Sequence, residues 1–215
     1  MTLFDVLTLD FLLAFLQGLT LNLSTALIVL VTVLPIAFVL AMGMNSRHAL
    51  VSRPIEAFIK LLQALPVFVV LFFMSGVLTD RSPLLVPFRG NLPLMLLVFG
   101  QTPYVMAYGA DQFSAMFGRL QRRDRRQALL IIPSIGRAFQ MVVSTSGFGA
   151  ALGVPEAMSV VIFTAEQLPD EATQIMFYAI ASLMFLVILR ICLIPFRVVH
   201  SVFDKRIVAS GKVAA

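Results

Sequence analysis

The chain has 215 residues, of which 60% are hydrophobic and only 13% charged, with a formal net charge of +5 and a mean hydropathy of +0.97. A soluble domain carries about a quarter charged residues because its surface faces water, so this composition excludes an ordinary soluble protein and implies a surface that meets lipid. The length suits one domain, residues 1–215.

In chain order, the N-terminus holds Asp5 and Asp10 and no basic leader, so it does not read as a cleaved signal peptide and the first apolar run is expected to be retained. A membrane-crossing helix needs about 20 apolar residues. From Phe11 to Ser46 there is no charge, which predicts an entry segment and a first span over about 11–45. Leu61–Thr79 is the second run, Asn91–Ala110 the third, and Ala138–Pro155 the fourth, extended backwards by Ala128–Ile135. Ala172–Leu189 is the fifth, and its apolar character resumes beyond Arg190.

The charges between these runs predict orientation. Segment 46–60, segment 118–137 and the tail from Arg190 hold three, six and five of the 16 Lys and Arg residues. They alternate with segments poor in basic residues: the N-terminus, the 80–90 loop, and 156–171 with Glu156, Glu166, Asp170 and Glu171. Cytoplasmic loops carry the excess of Lys and Arg, which places the N-terminus outside and the C-terminus in the cytoplasm, as an odd number of spans requires. The positive charge is thus mostly topology and calls for no nucleic-acid partner.

Pro35, Pro66, Pro103 and Pro133 interrupt or start apolar runs, so neighbouring groups must satisfy the freed carbonyls. Small and hydroxyl residues are dense at Gly18, Thr20, Asn22, Ser24 and Thr25, and again at Ser144, Thr145, Ser146, Gly147 and Gly149. Such residues allow close helix approach and interhelical hydrogen bonds, which predicts an all-α bundle of five transmembrane helices with a packed interior.

The string STSGFGAALGVPEAM (Ser144–Met158) resembles the segment after the cytoplasmic loop in permeases of the polar-amino-acid (histidine/glutamine-type) ABC uptake family, where a TSL tripeptide leads into an IGVPEL-like stretch. FLQGLTLNLS (Phe15–Ser24) is similar to that family's entry segment, with Gly18 and Thr20 in matching places. FIKLLQALP (Phe58–Pro66) keeps the family's proline, LIIPSIGRAF (Leu130–Phe139) resembles its leucine-proline segment, and Met176–Arg206 resembles its last span and basic exit. Two places depart from the pattern. Gly118–Leu129 (GRLQRRDRRQAL) lacks the glutamate-alanine-alanine signature of the family's cytoplasmic coupling helix, and Lys60, Gln63, Ala64 and Leu65 replace its glutamate and arginine-glycine-threonine.

The resemblance implies a type I ABC importer permease of the bacterial inner membrane. It would be one divergent half of a pore, paired with a second permease subunit, expected to be a different chain. An ABC ATPase dimer and an extracytoplasmic solute-binding protein complete the assembly, and ATP with magnesium is held by the ATPase. The solute implied is a polar amino acid or a related small polar compound.

On that reading the cytoplasmic loop at about 117–128, with Arg119, Arg122, Arg123, Asp124, Arg125 and Arg126, docks on an acidic ATPase surface through bidentate arginine–carboxylate pairs. The alternative is positive-inside charge beside anionic lipid headgroups. Gln63 and Pro66 are candidates to line the pore, against a helix–helix hydrogen bond and a simple kink. Ser144, Thr145 and Ser146 are candidates to contact solute or the second permease, against small-residue packing with back-bonding. Glu156 is a candidate outer contact for the binding protein, against a solvated loop carboxylate. Asp111, Arg137 and Arg190 lie near span ends, where snorkelling to the interface accounts for them, against a charge in the pore.

Cys192 reads as a small buried hydrophobe, and His48 and His200 lie far apart, so no metal site is expected. No Gly-x-x-x-x-Gly-Lys-Ser/Thr string and no convincing nucleophile–base pair occurs, so the chain is not expected to be an enzyme. Two other classes stay open: an ATP-independent channel or secondary transporter, which predicts internal repeats, and a non-transporting membrane scaffold.

Overall fold

In a bilayer every backbone polar group must be satisfied internally, and helices do this within one segment. The computed structural model describes residues 3–77 and 92–213, and all regular structure in them is helical. The expected 80–90 loop lies outside the described residues. In order the helices are α1 (Leu3–Val6), α2 (Leu9–Met44), α3 (Ala49–Gln63), α4 (Val67–Val77), α5 (Leu92–Gln121), α6 (Arg125–Ala128), α7 (Ile131–Ser146), α8 (Ala157–Ala165), α9 (Glu171–Cys192) and α10 (Ile194–Val213). A 3-10 turn, Gly147–Leu152, separates α7 from α8.

Among the described residues, three stretches are long and apolar enough to cross a membrane: Leu9–Met44, Arg125–Leu152 and Glu171–Ala209. A fourth exists if α3 and α4, interrupted at residues 64–66, are counted as one. The first run is a single helix of 36 residues. At 1.5 Å per residue it is about 54 Å long, well beyond the ~30 Å hydrocarbon thickness. The second expected run, by contrast, is broken at Pro66, which has no N–H to continue a helix. α5 is 30 residues long and does not meet the same standard, because Gln101, Thr102, Tyr104, Tyr108 and Asp111 dilute it. Exposed large side chains such as Val31, Val39, Phe72, Phe73, Phe163 and Leu183 are compatible with a multi-pass membrane protein.

The chain forms two units. One comprises residues 1–28, 67–101 and 142–191. Its core sets Phe11, Phe15 and Leu19 of α2 against Ala157, Val161 and Ala165 of α8 and Phe177 and Ala181 of α9. Each of these sets recurs every four residues, so each helix offers one stripe. The Phe11 ring meets Phe177 edge-on at 5.1 Å. A second cluster joins Leu71, Leu97 and Val154.

The other unit comprises residues 29–66, 102–141 and 192–215. Here Ala37 of α2 and Ile59 of α3 pack on Ala107 and Ala110 of α5. A Cβ on Gly109 would lie 3.0 Å from that of Ala37, so small residues set the approach of α2 to α5. Phe38 meets Phe113 and Phe117 edge-on, each at 5.3 Å, and Asn45 donates to Ser114 at 2.8 Å.

Candidate functional site

Gly18 lets the α2 backbone touch the start of α8: a Cβ there would lie 2.7 Å from the Ala157 nitrogen and 2.7 Å from the Glu156 carbonyl carbon. One turn later on the same face, Asn22 enters the joint. Its Nδ2 donates to Ser146 Oγ at 2.7 Å and to Glu156 Oε2 at 3.0 Å, and its Oδ1 accepts from the Ala157 N–H at 3.2 Å.

Glu156 is the N-cap of α8. Its carboxylate accepts from the N–H groups of Met158 at 2.9 Å and Ser159 at 3.0 Å. These are helix N-terminal donors with no intrahelical partner, which an acidic cap satisfies while complementing the helix dipole. Gly153, at φ +74°, supplies the left-handed turn that ends the 3-10 segment and brings the chain to Glu156. Asn22, Ser146 and Glu156 are all fully buried. Glu156 lies outside the helices long enough to span, and burial pushes its carboxyl above the ordinary range against the opposing Met158 N–H, Asn22 amide and Ser159 N–H. The joint is closed upon itself and holds α2, the end of α7 and α8 together.

Glu156 is therefore interior, not presented at the surface as an outer contact would be. Ser144, Thr145 and Ser146 do not form one cluster: Ser144 is exposed, Thr145 donates to Gln101 Oε1 at 2.9 Å, and Ser146 belongs to the joint. Gln101 is fully buried, and among the described residues its Nε2 has no hydrogen-bond acceptor. An open cavity of about 730 Å³ in the same unit is lined by Asp5, Asp10, Phe11, Ser159, Phe163 and Gln167 among others.

Comparison with protein-family models, with curated proteins and with solved structures gives no match to this chain.

In the other unit Gln63, at the last turn of α3, donates to Asp111 Oδ2 of α5. Pro66 sits in the break after α3, exposed. The arginine loop turns at Arg122–Asp124, with Arg123 in the left-handed region at φ +60°. Asp124 caps α6 by accepting from the Gln127 N–H at 3.0 Å, and Arg119 donates to the Gln127 carbonyl at 3.3 Å. Arg126 makes a forked pair with Asp204 of α10, at 2.8 and 3.3 Å. Arg122, Arg123 and Arg125 are exposed and make no ion pair among the described residues.

Gln101 is a polar group that a reading of motifs passes over, and Asn22 stood there only among the small polar residues of the first run. The signal of both is an amide inside a charge-free apolar run, where an unsatisfied polar group is costly.

Proposed function

We propose that the chain is a membrane-spanning subunit of an ATP-driven importer for polar amino acids or related small polar solutes, forming half of a translocation pore in a bacterial inner membrane. What supports this reading is that the segment with the chief resemblance to the polar-amino-acid permeases, Ser144–Met158, meets another that resembles them, Phe15–Ser24. Gly18 and Asn22 from the latter engage Ser146, Glu156 and Ala157 from the former.

On this reading α2, the broken pair α3–α4, α5, α7 and α9 serve as five spans, with the N-terminus outside and the C-terminus in the cytoplasm. Hydrolysis takes place on a separate ATPase dimer that binds ATP and magnesium. The exposed arginines of the 119–126 turn meet its acidic surface, Asp124 fixes the turn, and the Arg126–Asp204 pair ties that turn to α10. Closure of the ATPase moves this loop and switches access to the pore, to which an external binding protein delivers solute. A second permease, a different chain, supplies the other half.

The test is purification of the tagged chain from native membranes in a mild detergent. An ATPase and a second permease are expected to co-purify. Recovery of the chain alone, or with proteins unrelated to nucleotide hydrolysis, would replace this reading by a channel or a scaffold.

A further inference from the structure

We propose that Tyr104, Tyr108 and Asp111 of α5, together with Gln63 of α3, form a binding site for a cationic group, an ammonium or a guanidinium. As a statement about transported solute, this rests on the importer reading above; as a statement about binding, it stands on the geometry. The three α5 positions are four and three residues apart and so share one face. Val105 on one flank of this stripe and Ala107 and Ala110 on the other are buried, and Ala107 and Ala110 pack against Ala37 and Ile59. Between these flanks Tyr104, Tyr108 and Asp111 are each half-buried.

The rings of Tyr104 and Tyr108 are stacked, with centroids 6.0 Å apart and planes 16° from parallel. Aromatic faces attract cations placed within about 6 Å of the ring centre. Asp111 follows one turn later with a carboxylate whose only hydrogen bond among the described residues is the one from Gln63 Nε2. No Lys, Arg or His nitrogen lies within 4.0 Å of it among those residues, where Arg126–Asp204 is the one ion pair. Among the described residues, which hold most of the 16 Lys and Arg, this carboxylate has no basic partner. A carboxylate in an apolar helix is costly unless something pairs with it. Two ring faces beside one carboxylate, oriented by a neutral amide, match an ammonium or guanidinium and repel an anion.

That cation can come from a free solute, such as arginine or lysine, or from the amine headgroup of a lipid. The chain contains three tyrosines and no tryptophan, so intrinsic fluorescence reports this site almost directly, and Tyr178→Phe removes the one tyrosine outside it. The Tyr178→Phe chain is placed in nanodiscs of phosphatidylglycerol alone and titrated with arginine, lysine, choline chloride, and the ammonium-free controls propionamide and propionate. A saturable fluorescence change is expected with one or more of the three cations and none with propionamide or propionate.

Asp111→Asn is expected to weaken that response at least about tenfold, the loss of one charged contact, and Asp111→Glu to retain most of it. Far-UV circular dichroism confirms that each variant stays helical. Repeating the titration in phosphatidylethanolamine nanodiscs separates the sources: competition from this lipid assigns the site to a headgroup amine, and an unchanged curve assigns it to free solute. No saturable response to any cation or to the amine lipid, or an unaltered response in Asp111→Asn, overturns the proposal. Binding is read without ATPase or flux, so its failure leaves the importer reading standing. Binding without ATP-dependent uptake would remove the importer reading and leave the site.

Discussion

Gly18→Ala tests whether the α2–α8 joint holds its unit together. Alanine inside a helix is ordinarily favoured over glycine by about 0.5–1 kcal/mol. Against this, the new Cβ would lie 2.7, 2.7 and 2.9 Å from three backbone atoms of Glu156 and Ala157. Carbon–carbon contacts are comfortable only at about 3.5–4.0 Å. Backbone cannot rotate aside as a side chain can, so α2 and α8 must separate by roughly 0.7 Å or more. The Asn22 bonds to Ser146 and Glu156, at 2.7 and 3.0 Å, lengthen with that separation. Overpacking of this kind costs about 1–3 kcal/mol, and each stretched hydrogen bond gives up part of about 1 kcal/mol. The clash outweighs the propensity, and a net loss of about 1–3 kcal/mol is expected. Gly118→Ala is the control: nothing lies within 4 Å of its Cβ, so it should be neutral or slightly stabilising. The assay is unfolding of the purified protein by increasing dodecyl sulfate in a mild detergent, followed by circular dichroism. A Gly18→Ala midpoint equal to or above that of Gly118→Ala would refute the reasoning.

Glu156→Ala removes the α8 cap and leaves Asn22 and two N–H groups without their acceptor, so a loss of about 1–3 kcal/mol is expected in the same assay, with Glu156→Gln milder. The Glu156 carboxyl is raised by burial, so the native state holds its proton more tightly than the unfolded chain. Its contribution to stability is present in acid and is lost as pH rises through the native value. The unfolding midpoint of the wild type should therefore fall more between acid and neutral pH than that of Glu156→Gln. Reversing Arg122 and Arg123 to glutamate should abolish ATPase co-purification in low salt without moving the unfolding midpoint, since both side chains are exposed. With Cys192 replaced by alanine, Gln167→Cys should react with an impermeant thiol reagent added outside cells, and Arg122→Cys only after the membrane is breached.

The long apolar helices were legible because a bilayer demands runs of a fixed length, and α2 and α9 fill such runs. Pro66 announced an interruption but not that α3 would end three residues before it, at Gln63, and turn that side chain to Asp111. The density of small residues around Gly18 foretold a close approach. Its partner was not legible, since Asn22 and Glu156 are 134 residues apart and no local pattern encodes the pairing. Glu156 was misjudged for a physical reason. It opens an acidic segment, where carboxylates ordinarily face water, yet the start of α8 needed a buried acceptor. Tyr104, Tyr108 and Asp111 share a helical face by spacing alone, but only the ring stacking and the lack of a basic partner among the described residues distinguish that face from an ordinary one.

The most direct measurement is solute uptake into vesicles reconstituted with the chain, its co-purified permease and ATPase, and the external binding protein. Labelled arginine or another polar amino acid is expected to accumulate above the external concentration only when ATP is enclosed with the ATPase, and to stop when the ATPase is inactivated. Accumulation that persists without ATP, or equilibration in either direction through the chain alone, would contradict an importer and identify a channel or secondary carrier.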